Sequence, residues 1–200
     1  MPFYSDFTTE PKRSFRYLFY LTGRDNVVAP YTVQTVKKPN FTVEGPVEAK
    51  YIQHTFKYPG RVRWEDVSVT IIDPGFDEDA AFILSSMLKE SGYFQPVGGN
   101  APGDNRSISK DRSTAALGTP RLVQIDPEGR QVDEWKLHNS YLANVDFGQL
   151  SYNEDSLVTY TLTITYDFAS YSKAVEPGSG LIPVSNNPAA YPRRPGSSPR

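Results

Sequence analysis

Residues 157–168, LVTYTLTITYDF, decide the fold class. Every second residue from Val158 onward is apolar or aromatic, and the residues between them are threonines until Asp167. Because successive side chains of a strand point to opposite faces, this period of two predicts a long β-strand with one core face and one hydroxyl face. The hydroxyl face fits the solvated side of an ordinary β-sandwich, or the lining of something wet such as a channel or an interface.

Other parts of the chain repeat the period of two. Further strand-like segments cover residues 14–22, 31–36, 47–58, 62–72 and 141–150. Residues 121–125 and 131–137 predict a hairpin, because the turn between them has Pro127 and Gly129 at suitable positions. Together these segments predict a mainly β domain over residues 15–173, an antiparallel sandwich or barrel.

One segment has a helical period instead. Apolar residues at the spacing of one helix face are Ala80, Ile83, Leu84, Met87 and Leu88. They predict one covering α-helix at about residues 78–91, packed on the sheet. The acidic residues at 77–79 suit its N-terminus, and they lack the alternating ligands and central glycine of a calcium loop.

The apolar phases of these segments also predict the core. We expect it to contain Trp64, Val67, Val69, Ile71, Ile83, Met87, Trp135, Leu162, Ile164 and Tyr166.

Three segments lack a packing pattern. Residues 1–14, with Pro2 and Pro11, predict a loosely held N-terminal arm, and the Pro-, Gly- and Ser-rich residues 174–200 predict a tail. Residues 96–119, rich in Gly, Pro, Asn and Ser, predict a long loop. Loops of that length in a compact domain are usually functional or disordered.

Composition excludes several classes of protein. The chain has 200 residues and a net charge of −2, which does not suit a polybasic nucleic-acid binder. It has no cysteine, which excludes disulfides and thiol chemistry and fits assembly in a reducing compartment. No apolar run is long enough for a membrane span, and the N-terminus predicts no signal peptide.

The residues that carry catalysis or bind metals do not form a pattern. His54 and His138 are isolated in strand-like segments, whereas a metal site needs several converging ligands. The sequence contains no Walker motif, nucleophile elbow or dinucleotide fingerprint. We therefore expect no cofactor, no metal and no enzymatic activity.

Two stretches together resemble a known family. The first comprises KKPNFTVE at residues 37–44 and YPGRVRWEDVSVTIIDP at residues 58–74; the second is residues 134–171, with WKLHN at 135–139 and YDF at 166–168. Their order around a single helix resembles the tail tube proteins of contractile-tailed, T4-like bacteriophages. The 96–119 loop and the Pro-rich tail depart from the short members of that family, which leaves open a tube initiator or terminator.

The resemblance implies a structural protein of the virion tail, assembled in the host cytoplasm. Family members form hexameric rings that stack into a tube, and each subunit contributes strands to an inter-subunit barrel. The partners implied are further copies of the chain, the tail sheath protein, a baseplate or tube initiator and the tape measure protein, with DNA passing through the lumen without specific binding.

The resemblance also gives some residues a role. Thr159, Thr161, Thr163, Thr165 and Asp167 would face the lumen, where a lining without Lys or Arg does not retain phosphate. Charged residues of the 96–119 loop would contact the next ring, namely Asp104, Arg106, Lys110 and Arg112.

Three rival interpretations remain at this point. An inner-tube protein of a contractile injection system would share the fold and the assembly. A carbohydrate-binding β-sandwich would cluster exposed aromatic residues on loops, whereas the aromatic residues here mostly lie in strand phase. A hydrolase on a β scaffold would need a catalytic cluster.

Overall fold

The computed structural model describes residues 11–23, 27–28, 32–75, 79–94, 107–153, 155–174 and 181–183. The strands in chain order are β1 (Tyr17–Thr22), β2 (Val27–Val28), β3 (Val33–Val36), β4 (Asn40–Val43), β5 (Val47–Tyr51), β6 (His54–Tyr58), β7 (Val62–Glu65), β8 (Val67–Ile72), β9 (Arg121–Ile125), β10 (Gln131–His138), β11 (Tyr141–Asp146), β12 (Thr159–Thr165), β13 (Phe168–Ala174) and β14 (Leu181–Pro183). The helices are α1 (Ala80–Glu90) and α2 (Lys110–Leu117).

Most strands belong to two antiparallel sheets. A six-stranded sheet has the order β14-β13-β10-β9-β1-β2, and a four-stranded sheet has the order β11-β12-β8-β3. The remaining strands form two short ribbons, β4 with β7 and β5 with β6. The mainly β prediction is therefore confirmed, and so is the hairpin of β9 and β10. Neither sheet closes into a barrel within the described chain.

The core is built from one face of each sheet and from α1. The four-stranded sheet contributes Val69, Leu162 and Ile164, none of which is exposed at all. The six-stranded sheet contributes Phe19, Leu21, Leu122 and Leu137 to the same cluster. Ala80, Leu84 and Met87 of α1 complete it. Alternation along the strands therefore leaves the other face of the four-stranded sheet outside this core.

Helix α1 starts close to the predicted position. Asp79 caps it, because its carboxylate accepts a hydrogen bond from the backbone N–H of Phe82 at 3.1 Å. Residues 77 and 78 lie outside the described residues. Leu88, which the helical period placed on the buried stripe, is exposed.

The prediction of a single helix was wrong, since α2 lies within the segment predicted as a loop. Its sequence KDRSTAAL has no apolar stripe, and its buried residues, Ala116 and Leu117, are confined to its last turn. The helix is set up by Ser109, whose hydroxyl accepts a hydrogen bond from the backbone N–H of Arg112 at 3.3 Å. Residues 96–106 of the predicted loop lie outside the described residues.

Three strand predictions also need correction. The strand expected at 157–168 is β12, which ends at Thr165, because the chain then turns into β13 of the other sheet. The strand expected at 47–58 is a hairpin, β5 and β6, around a turn at residues 52–53. The strand expected at 62–72 is divided at Asp66 into β7 and β8, which belong to different sheets.

Both termini are held more firmly than predicted where the structure describes them. Lys12, in the predicted N-terminal arm, forms an ion pair with the buried carboxylate of Asp133. Burial by itself would lower the pKa of Lys12, but the hydrogen bond and charge of Asp133 outweigh it and raise that pKa. In the predicted tail, β14 pairs with β13 at the sheet edge, where a proline is tolerated. Residues 1–10, 175–180 and 184–200 lie outside the described part.

Candidate assembly surfaces

The outer face of the four-stranded sheet is covered with hydroxyl groups. Thr161 of β12 lies opposite Thr70 of β8, and Thr163 lies opposite Ser68. On the other side of β12, Thr163 lies opposite Asn144 and Thr161 opposite Asp146 of β11. Directly paired residues share a face, so these side chains form one continuous polar surface, which we call the hydroxyl face.

The hydroxyl face carries almost no charge. None of the strands β3, β8, β11 and β12 contains a lysine or arginine, and the one acidic residue among them is Asp146. The threonines at 159, 161, 163 and 165 are each partly exposed, while Tyr160, Leu162 and Ile164 between them are buried. Such a surface offers hydrogen-bonding groups to a polyanion but no lysine or arginine to bind its phosphates.

The two outermost strands of the same sheet each have an unpaired outer edge. β3 is its outer strand on one side and β11 on the other. Within the described chain, no further strand pairs with the outer side of either. Both strands carry a bulge, between Val33 and Thr35 and between Leu142 and Asn144. A bulge limits pairing over its own residues, and the other unpaired N–H and C=O groups of an exposed edge are a template for pairing with another chain.

Asp167 does not extend the hydroxyl face, because it lies in the turn after β12. Its carboxylate accepts hydrogen bonds from Lys110 of α2 at 2.7 and 2.8 Å and from Asn139 at 2.8 Å. These bonds, with that to Lys110 the largest cause, lower the pKa of Asp167. Asp167 therefore joins α2 to the turns that follow β10 and β12.

Of the four residues predicted to contact the next ring, two lie on α2 and two lie outside the described part of the chain. Lys110 forms the ion pair with Asp167 within the chain, and Arg112 lies exposed on the same helix. Asp104 and Arg106 lie outside the described residues. The role of the four residues in ring contacts stays a prediction.

The residues predicted for the core lie in or against it. Val67, Val69, Ile71, Met87, Leu162, Ile164 and Tyr166 are buried. Trp64, Ile83 and Trp135 are partly buried and pack on the same cluster.

Residues 40–65 form a long two-stranded ribbon that the sequence did not predict. At its base Trp64 contacts Phe41 and Tyr166, with ring centroids 5.3 and 5.9 Å apart. At the bend, the backbone N–H of Glu44 donates to the carbonyl of Arg61 at 2.8 Å. A Cβ at Gly60 would lie 2.8 Å from the Glu44 carbonyl oxygen, so this close crossing needs glycine.

The outer half of the ribbon has one apolar face, although every residue of β5 and β6 is exposed. Val47 pairs with Tyr58, Ala49 with Phe56 and Tyr51 with His54, so these six share one side. The other side carries Glu48 opposite Lys57 and Lys50 opposite Thr55. We call the first side the ribbon face. An isolated hairpin is marginally stable in water, and an exposed apolar surface of this kind marks an interaction site.

A second exposed apolar cluster lies in the loop between β11 and β12. Phe147, Leu150, Tyr152 and Leu157 are all exposed there. Together with polar residues of the same loop, among them Gln149, Ser151 and Ser156, they line a hollow of about 460 Å³. We call residues 147–158 the end loop; all of it except Glu154 is described.

The described residues contain no cluster that could hold a metal ion. Neither described helix is long and apolar enough to cross a membrane. The acidic residues buried in the six-stranded sheet have cationic neighbours: Glu134 lies 3.5 Å from Arg121 and 3.3 Å from Lys136. Asp133 pairs with Lys12 and accepts a hydrogen bond from the Tyr171 hydroxyl at 3.2 Å.

The chain matches no protein-family model and no curated protein. Among solved structures it is similar to a chain in the cryo-EM structure of the anti-feeding prophage (AFP) baseplate. The two are 11% identical with a TM-score of 0.57, over 82% of this chain and 96% of that one.

Two further solved structures are similar. A chain in the PVC sheath-tube complex of an extracellular contractile injection system is 12% identical with a TM-score of 0.57, over 82% of this chain and 93% of that one. A chain of the AFP tube terminating cap is 13% identical with a TM-score of 0.55, over 87% of this chain and 100% of that one. The protein therefore shares its fold with tube and tube-terminator proteins of contractile systems.

Proposed function

We propose that this protein is a tube subunit of a contractile tail, a structural protein without catalytic activity. The observation that carries the proposal is the four-stranded sheet, with its hydroxyl face free of lysine and arginine and the unpaired outer edges of β3 and β11. Pairing of β3 of one copy with β11 of the next would remove both edges only if the copies close into a ring. The inner wall of that ring would be the hydroxyl face.

The chemistry of the hydroxyl face suits a conduit. Threonine, serine and asparagine keep the wall wetted, and the absence of lysine and arginine from its four strands means that a polyanion is not retained. The proposed cargo is first a tape measure protein and then DNA, passing without specific binding. Thr159, Thr161, Thr163 and Thr165 are the proposed lumen-facing residues, and Asp167 is not part of that wall.

The proposal includes the surroundings of the tube. Stacked hexameric rings would sit inside a sheath protein, with a baseplate or tube initiator at one end and a terminator at the other. The similar solved structures are of a baseplate, a sheath-tube complex and a tube terminating cap. The particle would be a virion tail assembled in the host cytoplasm.

A second candidate is the inner tube of a contractile injection system. It is favoured by the origin of the similar structures, one of which is described as an extracellular contractile injection system. The hydroxyl face would suit the cargo of a virion tail and the cargo of an injection system equally well. Phage head and terminase genes beside the gene for this protein would favour the virion tail, and their absence would favour the injection system.

Electron microscopy of the purified protein tests the tube proposal directly. We expect rings or hollow tubes whose abundance rises with protein concentration, because the monomer leaves two sheet edges and the ribbon face uncovered. Sedimentation of a uniform monomer at high concentration, with no tubes in the micrographs, would refute the proposed function.

A further inference from the structure

A side chain of the six-stranded sheet is hydrogen-bonded to the backbone of β3, an outer strand of the four-stranded sheet. The hydroxyl of Tyr17, in β1, donates to the carbonyl of Gln34 at 2.8 Å. Gln34 is the extra residue of the bulge between Val33 and Thr35, so it has no partner residue in β8. A tyrosine from the other sheet therefore takes an acceptor that the bulge leaves without a strand partner.

This bond lies in an open trough that runs along β3. The trough has a volume of about 540 Å³ and is lined by all four residues of β3 and by residues that precede or begin β1, namely Ser14, Phe15, Tyr17 and Leu18. The opposite edge of β3 is occupied by β8. A strand that extends the four-stranded sheet on the side of β3 must therefore enter this trough, where the Tyr17 side chain already contacts the β3 backbone.

The short length of β3 makes the bonded carbonyl important for pairing. The strand has four residues, Val33–Val36. The N–H of Lys37, directly after it, donates to the carbonyl of Ser68 in β8 at 2.9 Å, so the backbone groups of Val36 point to the outer edge. A second strand that pairs along this edge would meet Val36 first and then the Gln34 carbonyl, which Tyr17 occupies.

The surroundings of Tyr17 favour the bonded position. Its side chain is partly buried and packs against the core cluster, so the ring is held beside β3 by more than the hydrogen bond. Burial raises the pKa of Tyr17, which keeps the hydroxyl protonated and able to donate at neutral pH. The contact is therefore a stable part of the single chain, and a second strand would have to displace it.

We propose that Tyr17 blocks the β3 edge of the single chain, and that its bond to Gln34 opens before β11 of a second copy pairs there. This inference rests on the proposed function and deepens it, because it names a contact that regulates closure of the ring. Native proteins commonly cover or distort exposed edges, since an open edge pairs with any strand that it meets. Here the cover is one side chain, which a correctly placed neighbour can displace.

Removal of one oxygen atom tests this block. Tyr17→Phe keeps the aromatic ring against the core and deletes the bond to Gln34. We expect the critical concentration for rings or tubes, measured by sedimentation, to fall by about fivefold, the factor that one hydrogen bond of ordinary net strength contributes to an equilibrium. The matched control is Tyr20→Phe on the opposite face of the same strand, which keeps its ring beside Arg121 and should assemble as the wild type does.

The melting temperature of the unassembled variant separates a block from a merely structural bond. A block predicts that Tyr17→Phe makes the single chain slightly less stable while assembly improves, because the bond is lost from the free chain alone. A merely structural role predicts that stability and assembly become worse together. A critical concentration that is unchanged or raised would overturn the inference.

Micrographs of the same samples keep this inference apart from the proposed function. Rings or tubes that form from both proteins at one critical concentration would overturn the block and leave the tube function standing. Rings that the variant forms at a concentration where the wild type is still monomeric would support both. Assemblies other than rings or tubes that only the variant forms would support the block and refute the tube. If neither protein assembles at any concentration, both are refuted, since an unblocked edge then still fails to pair.

Discussion

Tyr160 and Asp73 show how a single side-chain bond holds the end of β12. The Tyr160 hydroxyl donates to the Asp73 carboxylate at 2.7 Å, where the chain leaves β8 for α1. That hydrogen bond, followed by burial, raises the pKa of Tyr160 to about 12. The same bond is the largest cause that lowers the pKa of Asp73. The pair therefore ties the hydroxyl-face sheet to the start of the covering helix.

Replacing this tyrosine should weaken the fold and change its pH dependence. We expect Tyr160→Phe to lower the free energy of unfolding by about 1 kcal/mol at neutral pH. Because the pKa of Tyr160 is raised on folding, its stabilising effect is complete below about pH 10 and is lost as the pH rises towards 12. Urea unfolding should therefore show a smaller decrease in stability at alkaline pH for the variant than for the wild type.

At acidic pH the effect on stability runs in the opposite direction, because here stability is lost as the pH falls. The lowered pKa of Asp73 stabilises the fold above the unfolded pKa of about 3.9, and that contribution disappears as the pH falls. Tyr160→Phe should reduce this acid dependence as well. Tyr93→Phe, at an exposed position outside the candidate assembly surfaces, is the control and should match the wild type at every pH.

At the scale of elements, β12 separates a core face from the hydroxyl face. Leu162 and Ile164 are completely buried, while Thr161 and Thr163 lie on the outer side among hydroxyl and amide groups. A shift of one residue in register would exchange the two faces, so the arrangement is all or none.

Lysines on the hydroxyl face would test whether it is the wall of the conduit. We expect Thr161→Lys with Thr163→Lys to leave assembly intact but to slow DNA release, more strongly at low salt, because the cations retain phosphate. Release from particles built with the variant subunit measures this. If assembly is lost instead, the hydroxyl face is packed between layers of the tube and does not line its lumen. Val67→Asp is the control and should prevent folding, because it buries an unpaired carboxylate.

For the whole molecule, the ribbon and the sheet edges provide contacts in two directions. The edges β3 and β11 lie at the sides of the four-stranded sheet, whereas the ribbon and the end loop lie at its ends. Closure into a ring and stacking of rings should therefore be separable.

Removal of the outer ribbon should leave rings that do not stack. The deletion of residues 46–59 joins Gly45 to Gly60, which lie close together, since a Cβ on Gly60 would be 3.1 Å from the Gly45 carbonyl oxygen. Because all of β5 and β6 is exposed, we expect the fold to survive, as circular dichroism would show. If the ribbon face is covered by the next ring, electron micrographs should show single rings; tubes of normal length would show that stacking does not use the ribbon. Val47→Asp with Phe56→Asp keeps the ribbon but charges its face, and it should have the same effect.

The sequence by itself determined the local periods. Alternation in residues 157–168 established a strand with a core face and a hydroxyl face, and the apolar spacing from Ala80 to Met87 established α1. The turn chemistry of residues 126–129 established the β9–β10 hairpin, where Gly129 has φ 78°. These features are readable because each depends on side chains near one another in the chain.

Only the tertiary structure decided the features that depend on distant contacts. α2 has no apolar stripe and is held by its Ser109 cap, by burial of Leu117 and by the Lys110–Asp167 ion pair. The turn at Ile52 has none of the usual turn residues, so an amphipathic hairpin reads as one long strand. Asp167 continues the alternation in sequence, yet the chain has already left the sheet there. The placement of the ribbon and the end loop at opposite ends follows from strand order and register, which pair residues far apart in the chain.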